Sequence, residues 1–229
     1  MPSLLIETST ERAVVGIVEG GNLLFQKELP LGLNNAKFLA PSIVEGLKVL
    51  NLSMSSISGI AVGIGPGSYT GIRAGAMLAK ALAYAANCPL IGVSTLECFA
   101  PTSDGPFTVL IDARIGGAYF IKGIQEKGSI QHTLQPQVLP LESLEDFLNE
   151  TQYVVTPQAK ILKPKLEVFC PKALWEELPP NLLQMASVAE RNRIAGHLAV
   201  DEALDLMYLR KTGAELEKEA QKERIDAQK

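Results

Sequence analysis

The chain has 229 residues, of which 47% are apolar and 20% are charged, with three cysteines and a formal net charge of −4. This length can bury a sizeable core in one large or two small domains. The sequence has no uninterrupted apolar run of 18 or more residues, which argues against a membrane span. The acidic balance argues against tight binding of nucleic acid by this chain alone, and an odd number of widely spaced cysteines predicts reduced thiols in the cytoplasm. The N-terminal residues lack the basic flank of a signal peptide.

The first hundred residues alternate between strand and helix patterns. A hairpin with a Gly-rich turn should start an antiparallel sheet, and the later strand–helix alternation implies parallel strands. In chain order the predicted elements are strands at 4–6, 13–18 and 23–28, a helix at 39–50, a strand at 58–64, a helix at 74–86, a strand at 89–93 and a capping-box sequence at 94–97.

A Pro- and Gly-containing segment at 101–106 predicts a domain boundary, after which strand and hairpin patterns begin again as a weak internal repeat. We therefore divide the chain into a lobe at 1–103, a smaller lobe at 104–210 and a charged tail at 211–229. Further predicted elements are strands at 108–111, 118–124, 130–139 and 152–155, a helix at 141–149, and an amphipathic helix at 182–200 with Leu183, Ala186, Ala189 and Ile194 on one side.

The most distinctive motif is a glycine-rich turn at 63–73, which follows an apolar strand and leads into an alanine-rich helix. Ser68 and Thr70 are suitable N-cap residues for that helix. Backbone N–H groups at such a turn suit an anion or an acidic group of a partner. The motif lacks the lysine of a phosphate loop and the spacing of a dinucleotide fingerprint, so the alternative is a tight turn that lets two backbones approach closely.

The two histidines, His132 and His197, are too isolated to suggest a zinc site or a catalytic triad.

Several segments together resemble the TsaB family, also called YeaZ. They are 6–10 (Ile-Glu-Thr-Ser-Thr), 65–73 (Gly-Pro-Gly-Ser-Tyr-Thr-Gly-Ile-Arg) and 111–114 (Ile-Asp-Ala-Arg), with 89–96 and 207–210 also in agreement. The resemblance covers residues 1–124 well and is weak from 130 to 205.

This resemblance implies an α/β fold of the actin, Hsp70 and sugar-kinase (ASKHA) type, with two related lobes of mixed sheets flanked by helices. It also implies a non-catalytic subunit that binds the catalytic subunit TsaD as a heterodimer, joined by the ATPase TsaE. TsaD places a threonylcarbamoyl group on N6 of adenosine 37 in tRNAs that read ANN codons. The chain would then contact tRNA only through the complex, which uses ATP and Mg²⁺, while binding no cofactor or metal strongly itself.

Two positions depart from the family pattern. Glu7 stands where members commonly have Asp, and the segment beginning at Asn35 stands where they commonly have a His at the start of the first long helix. The longer Glu7 carboxylate would disturb the octahedral geometry of Mg²⁺, and the absent His removes a metal ligand. Both changes therefore favour a chain that is not catalytic. A vestigial nucleotide cleft would be formed by Glu7, Thr8, Ser9, Gly65, Gly67, Ser68, Asp112 and Arg114.

We expect the helices at 36–50 and 71–86 to form the surface that binds a partner. Small residues recur at steps of three or four along the second helix, and such a stripe lets another helix come close. The expected contact residues are Leu39, Ile43, Leu47, Gly71, Arg73, Gly75, Ala79 and Leu82. The alternative is that the stripe packs against its own sheet.

Three rival functions remain open at this point. One is an ATP-dependent kinase of the same fold, although no second glycine-rich nucleotide turn follows residue 128. Another is a glycoprotease-like metallopeptidase, which would need histidine ligands. The third is a plain homodimeric scaffold supported by the same small-residue helix, and homodimers through that surface are also expected when TsaD is absent.

Overall fold

The computed structural model describes residues 1–32, 36–114, 116–199 and 204–209. Its first half contains three strands, then helices and strands in alternation, with 3₁₀ turns at Met54–Ser56 and Thr95–Cys98. These elements are β1 (Ser3–Glu7), β2 (Val14–Glu19), β3 (Asn22–Glu28), α1 (Ala36–Val49), β4 (Gly59–Gly63), α2 (Tyr69–Ala86) and β5 (Leu90–Val93).

The strands of the first half form one mixed sheet in the order β3-β2-β1-β4-β5. β1 pairs with β2 in antiparallel fashion, whereas β1, β4 and β5 run parallel. β4 is buried along its whole length and β1 nearly so, as expected for parallel strands covered on both faces. β3 is the edge strand and is mostly exposed, which agrees with its more polar sequence.

The second half repeats this plan. Its elements are β6 (Gly105–Asp112), β7 (Gly117–Glu126), β8 (Ser129–His132), β9 (Gln137–Pro140), α3 (Glu145–Leu148), β10 (Tyr153–Thr156), α4 (Ala159–Leu166), β11 (Leu174–Glu177) and α5 (Leu182–Ile194). The second sheet has the order β11-β10-β6-β7-β8, with β9 paired to the other end of β7. β6 and β7 are antiparallel, while β6, β10 and β11 are parallel.

Apart from β9, which has no counterpart in the first sheet, strand order and direction are thus the same in both halves. The predicted fold class is confirmed: two related lobes, each a mixed sheet flanked by helices, in the ASKHA arrangement. The predicted internal repeat is a repeat of topology, which explains why it was weak in the residues themselves.

The first sheet is covered on both faces. α1 and α2 pack on one face, where Leu39, Ile43 and Ala79 join side chains from β1 and β4 in one cluster. α5 packs on the opposite face, against side chains of β1, β4 and β5. The covering of both faces explains the continuous apolar runs of these strands.

The predicted extent of the second lobe, 104–210, needs a correction. α5 lies on the first sheet, and the Ala199 amide donates to the carbonyl of Leu90 on β5. The Met207 amide likewise donates to the carbonyl of Ile64, beside the glycine turn. The chain therefore returns to the first lobe after β11, because the apolar face of that sheet is still open until α5 covers it.

One helix prediction was also wrong in detail, and one helix was missed. The buried side of α5 is formed by Leu182, Met185, Val188 and Ala189, whereas Leu183 and Ile194 are exposed. α4 was not predicted, and its sequence contains three lysines and Pro164.

The predicted tail at 211–229 and the departure from the family pattern at Asn35 lie outside the described residues.

Candidate functional site

A cleft lies between the two lobes, with a cavity of about 110 Å³. Its walls come from the segments that follow β1 and β4 in the first lobe and β6 and β10 in the second. These are the carboxyl ends of parallel strands, which is where open α/β sheets place their ligand sites. Lining residues include Thr8, Ser9, Ser68, Asp112, Arg114 and Gln158.

The glycine turn forms one wall of this cleft by close approach of two backbones. The Ser68 amide donates to the Ser9 carbonyl at 2.7 Å, and Gly67 has φ +156°. A Cβ at Gly67 would collide with the Ser9 carbonyl, so only glycine fits there. Ser68 then caps α2 by accepting from the Gly71 amide, as predicted.

Glu7 at the end of β1 is fully enclosed beneath the cleft. Its Oε1 accepts from the Ser9 amide at 2.6 Å, and its Oε2 accepts from the Thr95 hydroxyl at 2.9 Å. The Cys98 thiol lies 3.9 Å from the same Oε2. The carboxyl group occupies space beside Gly63, where a Cβ would collide with it.

This environment shifts the titration of the carboxyl group towards higher pH. Burial raises the pKa of Glu7, and the hydrogen bonds from Ser9 and Thr95 only partly oppose that shift. A magnesium ion in the cleft would need an ionised carboxylate that faces it. The cavity is also smaller than the roughly 300–1,000 Å³ of typical small-molecule sites. The Glu7 carboxyl group therefore does not offer a metal ligand to the cleft, whereas the carboxylates of Glu11 and Asp112 line it.

The second lobe contributes a hydrogen-bonded bridge across the cleft. Gln158, just after β10, donates from Nε2 to Glu11 Oε2 at 2.8 Å, and its Oε1 accepts from the Asp112 amide at 2.9 Å. Arg114 has φ +56°, and its amide donates to Asp112 Oδ1 at 3.1 Å. The bridge connects the two lobes through side chains that sequence reasoning did not single out.

Six of the eight residues predicted for the cleft line it, and two do not. Thr8, Ser9, Gly67, Ser68, Asp112 and Arg114 are lining residues. Glu7 is enclosed instead, and Gly65 lies behind the turn, where its carbonyl accepts from the Thr95 amide. Glu11 and Gln158 were missed, although Gln158 follows the strand predicted at 152–155, which the structure shows to be parallel to its neighbours.

The predicted partner surface needs a correction as well. Five of its residues are buried in the first lobe, namely Leu39, Ile43, Leu47, Gly75 and Ala79, while Gly71 and Leu82 are partly buried. The small residues of α2 face the chain's own sheet, because Thr8 lies directly against Gly71 and Gly75. Of the eight, Arg73 is exposed.

The outer face of α2 carries a different set of side chains. Met77 and Tyr84 are 72% and 78% exposed, and Tyr69 at the start of the helix is 40% exposed. With Arg73 they follow the helical period along one side, and Val44 of the neighbouring helix α1 is exposed as well. We refer to Tyr69, Arg73, Met77 and Tyr84 as the outer face of α2. Exposed apolar and aromatic side chains in a row are typical of interaction surfaces.

The described residues contain no group of three or more His, Cys, Asp or Glu side chains that could hold a metal ion. Within the same residues, no helix has the length and apolar character needed to cross a membrane.

The chain is similar to known proteins in sequence and in fold. A family model described as "TsaD: tRNA N6-adenosine threonylcarbamoyltransferase" matches residues 34–156, more than half of the chain. The "tRNA threonylcarbamoyladenosine biosynthesis protein TsaB" of Escherichia coli is 33% identical over 61% of this chain and 64% of its own length, and that of Haemophilus influenzae is 33% identical over 54% of each. The chain therefore belongs to this family, in its TsaB (YeaZ) branch.

Structural similarity to a solved member of the TsaB family extends over nearly the whole of this chain. The structure of YeaZ from Pseudomonas aeruginosa superposes with a TM-score of 0.75 at 23% identity, covering 91% of this chain and 99% of that one. At this identity the comparison shows a shared fold. By sequence, the chain matches 64% and 54% of the length of the two relatives named above.

Proposed function

We propose that this chain is the non-catalytic TsaB subunit that TsaD requires to place threonylcarbamoyl on N6 of adenosine 37 in tRNAs that read ANN codons. Support for the pathway comes from relatives that carry the name tRNA threonylcarbamoyladenosine biosynthesis protein TsaB. In this proposal TsaE joins the pair, the complex uses ATP and Mg²⁺, and tRNA meets this chain only through the complex in the cytoplasm.

The enclosed carboxyl group of Glu7 is the observation that carries the non-catalytic part. Phosphoryl-transfer enzymes depend on metal-binding groups and on a positioned base. Here the carboxyl group at the end of β1 accepts hydrogen bonds from Ser9 and Thr95 and does not line the cleft. This supports a subunit that acts by binding, and it weighs against the kinase alternative.

The outer face of α2 is our proposed contact with TsaD. It replaces the small-residue stripe, which is covered by the chain's own sheet. Tyr, Arg and Met are the residue types that interfaces favour at their centres. The helix is also regular over 18 residues and held firmly on the sheet, which reduces the ordering cost of binding.

Reconstitution tests the function. TsaD, TsaE and unmodified tRNA are supplied with threonylcarbamoyl-adenylate and ATP, and the modified nucleoside is measured with and without this chain. We expect modification only when the chain is present, and no ATP hydrolysis by the chain alone. Equal modification without the chain, or turnover of ATP by the isolated chain, would contradict the proposal.

A matched pair of variants tests the surface. Met77 on α2 and Val168 on the second lobe are both 72% exposed, so a charge at either should leave folding unaffected. Met77→Glu should weaken TsaD binding by about tenfold or more, and Val168→Glu should not. Equal affinities for the two variants would show that TsaD binds elsewhere.

The exposed apolar side chains of α2 also support a homodimer when TsaD is absent. Met77 and Tyr84 would then be covered by the same residues of a second copy, as in a two-fold interface. Sedimentation of the isolated chain over a range of concentrations should show a dimer that Met77→Glu dissociates. A monomer at all concentrations would rule out this second candidate.

A further inference from the structure

We propose that Arg73, held in place by Tyr69 and Tyr208, is the residue with which the outer face of α2 binds an Asp or Glu side chain of the partner subunit. The inference rests on the proposed function and names the chemistry of its contact. Two features of the structure carry it: the geometry around the guanidinium and the distribution of charge on α2.

The guanidinium of Arg73 is fixed between two tyrosines from distant parts of the chain. Its Cζ lies 3.8 Å from the centre of the Tyr69 ring, and its Nε donates to the Tyr208 hydroxyl at 3.1 Å. The two tyrosine rings are also in contact, with centroids 5.2 Å apart. An exposed arginine normally loses side-chain freedom when it binds, and these contacts reduce that loss beforehand.

Tyr208 is itself positioned by the backbone. The Met207 amide donates to the carbonyl of Ile64 at 2.8 Å, and Leu204 packs against the first core. The segment 204–209 therefore lies beside the glycine turn at the start of α2. It brings a hydroxyl to Arg73 from 135 residues further along the chain.

The remaining donors of Arg73 suit a carboxylate. A guanidinium has five N–H groups in a planar fork, of which Nε–H is used by Tyr208. The Nη groups can form the paired hydrogen bonds that Arg makes with carboxylates. The contacts from Tyr69 and Tyr208 are with phenol groups, which orient the guanidinium, and among the described residues no carboxylate forms an ion pair with Arg73.

The charge on α2 points to an acidic partner. The helix sequence from Tyr69 to Ala86 contains Arg73 and Lys80 and no Asp or Glu. A carboxylate on the facing surface would therefore complement this helix, and a basic one would be repelled. Tyr69, Met77 and Tyr84 provide apolar surroundings that exclude water around such a pair. A phosphate of RNA is the other anion an arginine binds, and the net charge of −4 on the whole chain disfavours it.

The test measures the affinity of purified TsaD for the full chain by titration calorimetry. Arg73→Ala should weaken binding by about tenfold or more, and Arg73→Lys should recover little of it, because an ammonium can neither fork nor stack in the same way. Tyr208→Phe keeps the ring and removes the hydroxyl, so we expect a smaller loss of about threefold. Lys163→Ala, an exposed lysine on α4 of the second lobe, is the matched control and should change affinity by less than about twofold.

Salt dependence separates a charge contact from a packing effect. The affinity of the wild-type chain should fall more steeply with added salt than that of Arg73→Ala. Charge exchange, with Arg73→Glu tested against TsaD variants that replace single surface carboxylates by Arg, should restore binding for one of them. Thermal unfolding of each variant checks that the fold is intact.

The outcomes distinguish this inference from the function on which it rests. If Met77→Glu abolishes binding while Arg73→Ala binds as the wild type does, the role of Arg73 is wrong and the proposed function stands. If the wild-type chain does not bind TsaD at all, the proposed function fails and this inference with it. If Arg73→Ala leaves TsaD affinity unchanged but removes tRNA binding by the isolated chain, the arginine binds nucleic acid, and the inference is overturned.

Discussion

The carboxyl group of Glu7 is surrounded by hydroxyl and backbone donors and is closed off from solvent. Desolvation makes its charged form unfavourable, and this raises the pKa of Glu7 in the folded chain. In the unfolded chain the pKa returns to its ordinary value. The folded state therefore binds a proton more tightly than the unfolded state does, which couples stability to pH.

Glu7→Gln should remove this pH dependence. For the wild type, the free energy of unfolding should fall as pH rises from the ordinary carboxyl range through the raised pKa of Glu7, because the proton held by the folded state is then lost. The amide of glutamine has nearly the same shape and does not ionise, so the variant should be at least as stable at neutral pH. Urea unfolding at several pH values between about 4.5 and 8 measures the effect.

Glu150→Gln is the matched control for that measurement, because Glu150 is an exposed carboxylate in the second lobe. It should leave the pH dependence of unfolding as in the wild type. A Glu7→Gln variant that is much less stable than the wild type at neutral pH would show that the ionised carboxylate is favoured in the folded chain.

The substitution of Glu for Asp at position 7 could be read from the sequence, and its consequence for metal geometry could be argued. The sequence did not predict that the longer side chain of Glu7 lies beside Gly63 and accepts a hydrogen bond from Thr95. Thr95 is 88 residues away and reaches Glu7 only because β4 lies next to β1 in the sheet and β5 lies next to β4.

At the scale of an element, α2 has two faces with different roles. The inner face carries small residues, because larger side chains there would collide with Thr8 and the first sheet. The outer face carries Tyr69, Arg73, Met77 and Tyr84. The helical period of small residues was clear from the sequence. Which of two surfaces they faced was left open, because a stripe of small residues suits a neighbouring sheet and a partner helix equally well.

Gly75→Ala should destabilise the fold. A methyl group there would collide with the Thr8 hydroxyl, which donates to the Gly71 carbonyl at 2.8 Å. Alanine is the better helix former by about 0.8–1 kcal/mol, but the overpacking should cost about 1–3 kcal/mol and so decide the sign. Chemical denaturation measures the change, with Ala81→Ser on the exposed side of α2 as the control. A Gly75→Ala chain as stable as the wild type would mean that Thr8 moves aside without cost.

Adjacent leucines at the start of α5 provide a second test at this scale. Leu182 is 1% exposed and packs on the first sheet, whereas Leu183 is 43% exposed. Leu182→Ala should cost about 2–5 kcal/mol of stability, and Leu183→Ala should change it by less than about 0.5 kcal/mol. Thermal or urea unfolding of the pair measures both. Equal losses would restore the orientation of α5 that the sequence pattern predicted.

At the scale of the whole molecule, the two lobes are joined by more than a linker. α5 leaves the second lobe and completes the core of the first, where it packs against Leu5, Ala61 and Ile91. Further contacts cross between the lobes, including Arg12 with the Glu177 carbonyl and Gln158 with Glu11. We therefore expect the described part of the chain to unfold cooperatively.

A fragment of residues 1–103 should not fold alone. Without α5, the face of the first sheet that contains Leu5, Val14 and Ala61 would be exposed to water, and such a patch favours aggregation. The fragment should lack a cooperative thermal transition and should be recovered in soluble form only when residues 104–229 are produced with it. Soluble, cooperatively folding material from 1–103 alone would show that the lobe at 1–103 is an independent domain.

The sequence by itself determined what depends on local pattern, namely the strand and helix alternation and the glycine turn capped by Ser68, while the family resemblance implied the fold class. The alternation and the turn follow from side-chain periodicity or backbone geometry within a few residues. Tertiary structure alone decided which face of α2 is covered, where the Glu7 carboxyl lies and which lobe α5 completes. Those outcomes depend on contacts between residues far apart in the chain, and the burial of one face leaves the other as the surface that a partner can reach.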